Sequence, residues 1–170
     1  NNWKYLFFYW YFNFSNFHAP APDDVLASIR EAATPMINPP ITNIGVKGIR
    51  KTAQRILKWD QSMDVTALRW ASFNAFIFID YTGGSGGGHF RYMYGRYLHE
   101  AAEITGIPEL NVVGDEFKTI GDRWQAVAHS FKRASNSDTP MTILIETTDL
   151  LMEIADLEQS EWNKLLELAE

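Results

Sequence analysis

The sequence predicts an all-α protein, a compact helical domain of about six or seven helices that follows one aromatic-rich N-terminal strand. Three observations lead to this prediction. After residue 22, apolar side chains recur at helical spacing, i, i+3, i+4 and i+7. After residue 18, no segment alternates apolar and polar side chains as a half-buried strand does. Ten of the 24 aromatic residues lie within the first 17 positions, without helical periodicity.

The aromatic N-terminal segment, residues 1–18, is predicted to be a strand. Aromatic side chains favour strands, and this run is apolar on both faces, so the strand needs cover on both sides. We therefore expect the last strand of a missing N-terminal domain here, and a helical domain over residues 22–170. The alternative is an aromatic arm that packs on its own domain. So much exposed apolar surface also predicts a homodimer through this strand.

The first two helices have clear boundaries in the sequence. Pro22, followed by two aspartates, is typical of a helix start. Three prolines between residues 34 and 40 predict a loop there. The next helix is expected over residues 46–59, with an apolar side opposite a basic one.

The remaining helices follow the same periodicity. Asp64 opens the third helix, and a fourth follows a glycine-rich segment and ends near Gly106. The longest helix is expected over residues 108–134. Pro140 is predicted to open another helix, and a last short helix carries Trp162.

Composition excludes several classes of protein. The 170 residues include no cysteine, which excludes disulfides, thiolate zinc sites and a cysteine nucleophile within the chain. The net charge of −6 argues against a general nucleic-acid binder, and no apolar run is long enough to span a membrane. No stretch resembles a signal peptide. We therefore expect a cytoplasmic protein without a cofactor or a metal, and without nucleic acid or membrane as partner.

A basic stripe lies on the second predicted helix. Lys47, Lys51, Arg55 and Lys58 are spaced i, i+4, i+8 and i+11, with Arg50 nearby and no acidic residue between positions 46 and 59. One interpretation is a docking site for an acidic protein partner. The alternative is a solvated face that pairs with acidic residues near the C-terminus. Those acidic residues are Glu146, Asp149, Glu153 and Asp156.

The glycine-rich segment is the candidate substrate-binding site. Five of the eleven glycines lie between residues 83 and 88, where the backbone can approach a ligand closely, and a helix start with Arg91 follows. No Lys-Ser/Thr follows at Walker A spacing, and the pattern is not GxGxxG. The alternative is a flexible connector. The candidate residues are Thr82, Gly83, Gly84, Ser85, Gly86, Gly87, Gly88, His89, Arg91 and Tyr94.

Two further interpretations concern single side chains. Arg91 could hold a carboxylate or phosphate, or it could be buried against a carboxylate such as Asp80 or Asp122, in which case its role is structural. His99 and Glu103 are spaced i, i+4, but they lie outside an HExxH pattern and are expected on a polar helix face.

Three blocks carry a resemblance to a known family. Residues 81–102 (YTGGSGGGHFRYMYGRYLHEAA), residues 45–50 (GVKGIR) and residues 120–124 (IGDRW) are similar to the C-terminal helical domain of the butirosin biosynthesis protein H-like family. The resemblance covers roughly residues 20–170.

The resemblance implies an upstream papain-like domain whose last strand is the aromatic segment. The namesake of the family moves an aminoacyl group from a carrier-protein thioester onto an amine of an aminoglycoside. This chain would then be the accessory, substrate-binding domain of an acyltransferase or amide-processing enzyme. The resemblance also implies that the acidic partner of the basic stripe is an acyl carrier protein. It would be inactive alone, since it has no cysteine. The alternative function is a non-catalytic helical module for protein interaction or dimerisation.

Overall fold

Six α-helices form the part of the chain described by the computed structural model, which covers residues 13, 15, 18–80 and 88–170. The helices are α1 (Pro22–Ile37), α2 (Gly45–Ile56), α3 (Val65–Ile79), α4 (His89–Thr105), α5 (Glu109–Ser135) and α6 (Pro140–Leu168). A short 3-10 helix, Trp59–Gln61, precedes α3. The predicted all-helical class is confirmed for the described residues, which contain no strand. The predicted strand lies outside them, apart from positions 13, 15 and 18. Among the described helices, none has both the length and the apolar character that a membrane crossing requires.

The two longest helices form the centre of the fold. α5 packs against α3, α4 and α6, while α6 also packs against α1 and α2. Their apolar stripes supply fully buried side chains such as Phe117 and Ile120 on α5 and Ile154 on α6. Because each stripe recurs at helical spacing, one continuous core forms where the shorter helices cover this central pair.

α4 and α5 approach each other unusually closely. A Cβ atom added to Gly95 would lie 2.6 Å from the carbonyl oxygen of Gly114, so any larger residue would force the two backbones apart.

The start of α3 and the end of α4 agree with the sequence. The Asp64 side chain accepts a hydrogen bond from the Ala67 N–H at 2.8 Å and caps the start of α3. α4 ends at Gly106, as predicted.

Three predicted boundaries are wrong. α2 ends at Ile56, where a helix through residue 59 was expected, so Lys58 of the basic stripe lies beyond it. α1 continues through Pro35 to Ile37, although a loop was expected from residue 34. The missing N–H of proline costs one helical hydrogen bond, but Met36 and Ile37 pack against the core, which compensates for that loss. α6 is a single helix of 29 residues where two were expected. No proline or glycine separates its two halves. The buried Glu158 and Glu161 lie within its apolar stripe, and these two charged residues interrupt the apolar pattern of the sequence.

The buried face of α4 does not include its first two large apolar residues. Phe90 and Met93 are spaced i, i+3, as in an apolar stripe, but are 55% and 52% exposed. The side of α4 that contacts α5 instead carries Gly95, Leu98 and Ala102. The close approach at Gly95 sets this orientation, because only a glycine allows the two helices to meet there.

Candidate functional site

A cleft of about 630 Å³ is lined by residues of all six α-helices, of the loop before α2 and of the 3-10 helix. Most of its lining is apolar and comes from residues distant in the sequence, including Met36, Ile49, Trp59, Ile79, Phe131 and Leu151. A few polar groups join them, among them Asn43, Thr52 and Arg91. A largely apolar cavity of this size with a small number of polar groups has the usual character of a small-molecule site.

The two ends of the glycine-rich segment meet at this cleft. The Gly88 N–H donates a hydrogen bond to the Ile79 carbonyl oxygen at 3.3 Å, and Ile79 lines the cleft. Gly88 is buried, and a Cβ atom on it would lie 3.0 Å from the Cβ of Trp124, so a larger residue would have to displace the Trp124 side chain slightly. Residues 82–87 of the candidate site lie outside the described residues. His89 is exposed at the first position of α4.

Arg91 has a different partner from the ones suggested by the sequence. Its Nε and Nη2 donate to the two carboxylate oxygens of Glu158, each at 3.0 Å. Asp80 instead accepts from Gln125 at 3.1 Å, and Asp122 accepts from the Tyr92 hydroxyl at 2.6 Å. The Arg91 guanidinium also lies 5.9 Å from the centre of the Trp124 ring. Arg91 therefore has a carboxylate partner, Glu158 in place of Asp80 or Asp122, while its side chain stays 21% exposed at the cleft.

Glu158 is a fully buried carboxylate with a complete set of donors. Besides Arg91, the indole N–H of Trp124 donates to it at 2.9 Å and that of Trp162 at 3.3 Å. Charge-assisted hydrogen bonds of this kind compensate for the loss of hydration of a buried charge. We call Arg91, Trp124, Glu158 and Trp162 the Glu158 cluster. The negative charge of Glu158 and the positive charge of Arg91 cancel, so the cluster presents little net charge to the cleft.

Sequence reasoning missed Glu158 as a site residue. It is one of eight acidic residues after position 140, and nothing local separates it from the exposed ones. The available signal was its position in the buried stripe of α6, four residues after Ile154 and four before Trp162.

Tyr94, a predicted site residue, lies away from the cleft lining, in an aromatic cluster. Its ring centre is 5.0 Å from those of Phe117 and Trp162 and 5.5 Å from that of Tyr97. Its hydroxyl is buried and has no hydrogen-bond partner within the described part of the chain. Burial, with a smaller contribution from Tyr97, raises the pKa of the Tyr94 hydroxyl well above its usual value.

Two of the five residues of the basic stripe form hydrogen bonds to other side chains. Arg50 donates to Asp156 at 2.6 Å and to Gln159 at 3.0 Å, so the predicted pairing with the acidic C-terminal region occurs at this residue. Lys51 bonds instead to the side chains of Thr42 and Asn43 in the loop before α2. The other three side chains are exposed and form no ion pair with any described residue. They are Lys47, Arg55 and Lys58.

His99 lies on a polar side of α4. Its Nδ1 is 2.8 Å from the Asn111 side-chain oxygen, and its Nε2 is 3.4 Å from Asp115. Within residues 18–80 and 88–170, no group of three His, Asp or Glu side chains is arranged to hold a metal ion.

Comparison with known proteins gives a family without an activity. No curated protein and no solved structure matches the chain. One family model matches residues 7–165, a range that includes every described residue named in the cleft and the Glu158 cluster. Its description assigns no reaction or ligand, so the resemblance to butirosin biosynthesis protein H stays a prediction. Because the match spans nearly the whole chain, the protein belongs to the family described as Domain of unknown function (DUF4872).

Proposed function

We propose that the chain is the accessory, substrate-binding helical domain of a papain-like acyltransferase or amide-processing enzyme that acts on carrier-protein thioesters. The observation that carries this proposal is the apolar cleft of about 630 Å³ beside the ends of the glycine-rich segment. Its lining suits an apolar acyl group, and Arg91 adds a hydrogen-bond donor at the wall. The substrate class comes from the resemblance of residues 45–50, 81–102 and 120–124.

The chemistry needs a nucleophile that this chain does not contain. In such a reaction a thiolate attacks the thioester carbonyl, the carrier's thiolate leaves, and an amine then takes the acyl group from the enzyme. With no cysteine among its 170 residues, the chain would bind and orient the acyl group while a separate papain-like domain performs the transfer. We expect no turnover by the chain alone.

The basic stripe supports a carrier protein as the donor. Lys47 and Arg55 on α2, and Lys58 just beyond its end, are exposed and carry three positive charges. The stripe borders the cleft, because Lys51 donates to Asn43 at 2.7 Å and Asn43 is one of the lining residues. An acidic helical carrier bound to this stripe would hold its thioester near the cleft opening.

Calorimetry with a soluble thioester tests the proposal. The chain should bind decanoyl-N-acetylcysteamine at one saturable site, and the absence of cysteine keeps the thioester intact during the titration. Thr52→Trp should fill the cleft and abolish binding, because Thr52 lines it. Gln54→Trp is the matched control, since Gln54 is exposed on the other side of α2. No saturable binding, or an equal loss in both variants, would contradict the proposal.

A second candidate function, a non-catalytic interaction module, is favoured by one face of α3. Trp70, Phe73 and Ile77 lie at helical spacing and are 62%, 41% and 37% exposed. Such a continuous apolar face is typical of protein interfaces. Sedimentation should then show a dimer that Trp70→Glu dissociates. The homodimer expected through residues 1–18 concerns a segment of which the structure describes only positions 13, 15 and 18.

A further inference from the structure

We infer that the cleft selects a neutral acyl group over a free carboxylate, and that Glu158 is the residue that determines this selectivity. The acyl carbonyl would accept a hydrogen bond from Arg91. This inference rests on the proposed function, because it names the ligand of the same cleft. The acceptor amine would then bind outside this cleft.

The first step is the charge at the cleft wall. Arg91 is the only charged residue among the described residues that line the cleft. An arginine in an apolar cavity would normally attract a carboxylate. Here the carboxylate of Glu158 lies 2.8 to 3.0 Å from the Arg91 nitrogens and is fully buried, so water does not screen it. An anionic ligand would therefore gain little net attraction and would still lose its hydration.

The second step is the hydrogen bonding of Arg91. Its Nε and Nη2 are used by Glu158, whereas Nη1 makes no hydrogen bond to any described residue. The side chain is 21% exposed and lines the cleft. A guanidinium nitrogen is a donor only, so the matching ligand group is an acceptor. A thioester or amide carbonyl oxygen meets this requirement without a charge.

The third step is the remainder of the lining. Ile49, Ile79, Phe131 and Leu151 surround the space with apolar side chains. A polyhydroxylated polyamine of the aminoglycoside class would lose hydration there and bring its ammonium groups next to Arg91. An acyl chain would instead bury apolar surface, which is favourable.

A pair of shape-matched ligands tests the inference on the unmodified chain. N-Methyldecanamide and decanoate differ in charge but share the same nine-carbon tail and carbonyl. At neutral pH the amide should bind at least tenfold more tightly by calorimetry. Equal or tighter binding of decanoate would overturn this inference alone if the decanoyl thioester also binds. Failure of all three ligands to bind would overturn the proposed function as well.

Substitution of Glu158 tests its assigned role. Glu158→Gln removes the negative charge with little change of shape, which leaves the positive charge of Arg91 uncompensated. The affinity for decanoate should then rise at least tenfold relative to the affinity for the amide. Glu161→Gln is the matched control, because Glu161 is also buried on α6 but accepts a hydrogen bond from Lys164 and not from Arg91. An unchanged ligand ratio in folded Glu158→Gln protein would overturn the role of Glu158. If that variant does not fold, the ligand ratio of the unmodified chain still decides whether the cleft selects the neutral acyl group.

Discussion

Two cationic regions of this protein behave in opposite ways. Arg91 is paired with a fully buried glutamate, and two tryptophan N–H groups complete the hydrogen bonding of that glutamate. Lys47 and Arg55 on α2, and Lys58 just beyond its end, are exposed and unpaired within the described residues. Both regions stand out in the sequence as positive charge on a helix. The comparison shows that the location of the counter-charge decides what such a residue does.

The energetic consequences follow from burial. Removing one partner of a buried ion pair typically costs about 3–5 kcal/mol, because the other charge is left without compensation. Exposed charges contribute roughly 0–1 kcal/mol to stability, since water and salt screen them. Charged surface residues instead control how fast partners of opposite charge associate. We therefore expect the Glu158 cluster to affect stability and ligand choice, and the basic stripe to affect encounter.

The largest effect should come from the Glu158 cluster. Glu158→Ala should lower the free energy of unfolding by roughly 3–5 kcal/mol, because it leaves a half-buried guanidinium and two indole N–H groups without their acceptor. Glu153→Ala is the matched control on the same helix, since Glu153 pairs with Arg123 at 3.1 Å on the surface. The control should change stability by less than about 1 kcal/mol. Chemical denaturation measures both, and similar losses would remove the distinction between the two regions.

The next effect concerns the basic stripe and the rate of association. Lys47→Glu with Arg55→Glu should slow binding to an acidic carrier protein about tenfold at low salt, and high salt should erase the difference. Stability should stay within about 0.5 kcal/mol, because both side chains are exposed. Lys51 is left intact because its ammonium group holds the loop before α2.

Stopped-flow fluorescence at two salt concentrations measures this rate. Arg96→Glu with Lys118→Glu gives a control with the same change in net charge on exposed positions of α4 and α5. If both double variants slow association equally, the effect belongs to net charge and not to the stripe.

The smallest effect should come from the Tyr94 hydroxyl, a buried polar group that, unlike Glu158, has no partner within the described residues. Tyr94→Phe should leave stability unchanged or raise it by up to about 1 kcal/mol, because the Tyr94 hydroxyl is buried without a hydrogen bond in the described part of the chain. Tyr97→Phe should cost about 1 kcal/mol, since its hydroxyl bonds to that of Ser28 at 2.5 Å. Thermal melts of both variants provide the test, and a clear loss in Tyr94→Phe would indicate a partner for that hydroxyl.

Most of the fold could be predicted because helix signals are local. The cap at Asp64, the stop at Gly106 and the long stripe of α5 each depend on residues within a few turns. The errors arose where long-range packing outweighed a local signal. Pro35 predicts a break, but packing of the residues after it keeps α1 helical. Glu158 and Glu161 interrupt the apolar pattern of α6, yet both are buried.

The candidate site was predictable in part. The glycine-rich segment and Arg91 stand out by composition, and both ends of that segment do meet at the cleft. The apolar wall was not predictable, because its residues come from the loop before α2 and from several helices. A side chain such as Leu151 has the same periodicity whether it faces a cavity or a filled core.

By itself, the sequence determined the helical class, the absence of a thiol, the basic character of α2 and the glycines that allow close approach. These properties depend on residue type and on neighbours one or two turns away. Tertiary structure alone decided that Arg91 meets Glu158, 67 residues further along the chain, and that Trp124 and Trp162 complete the pair. The physical reason is that charge compensation in a buried site depends on which helix faces are packed together, and no local spacing encodes that choice.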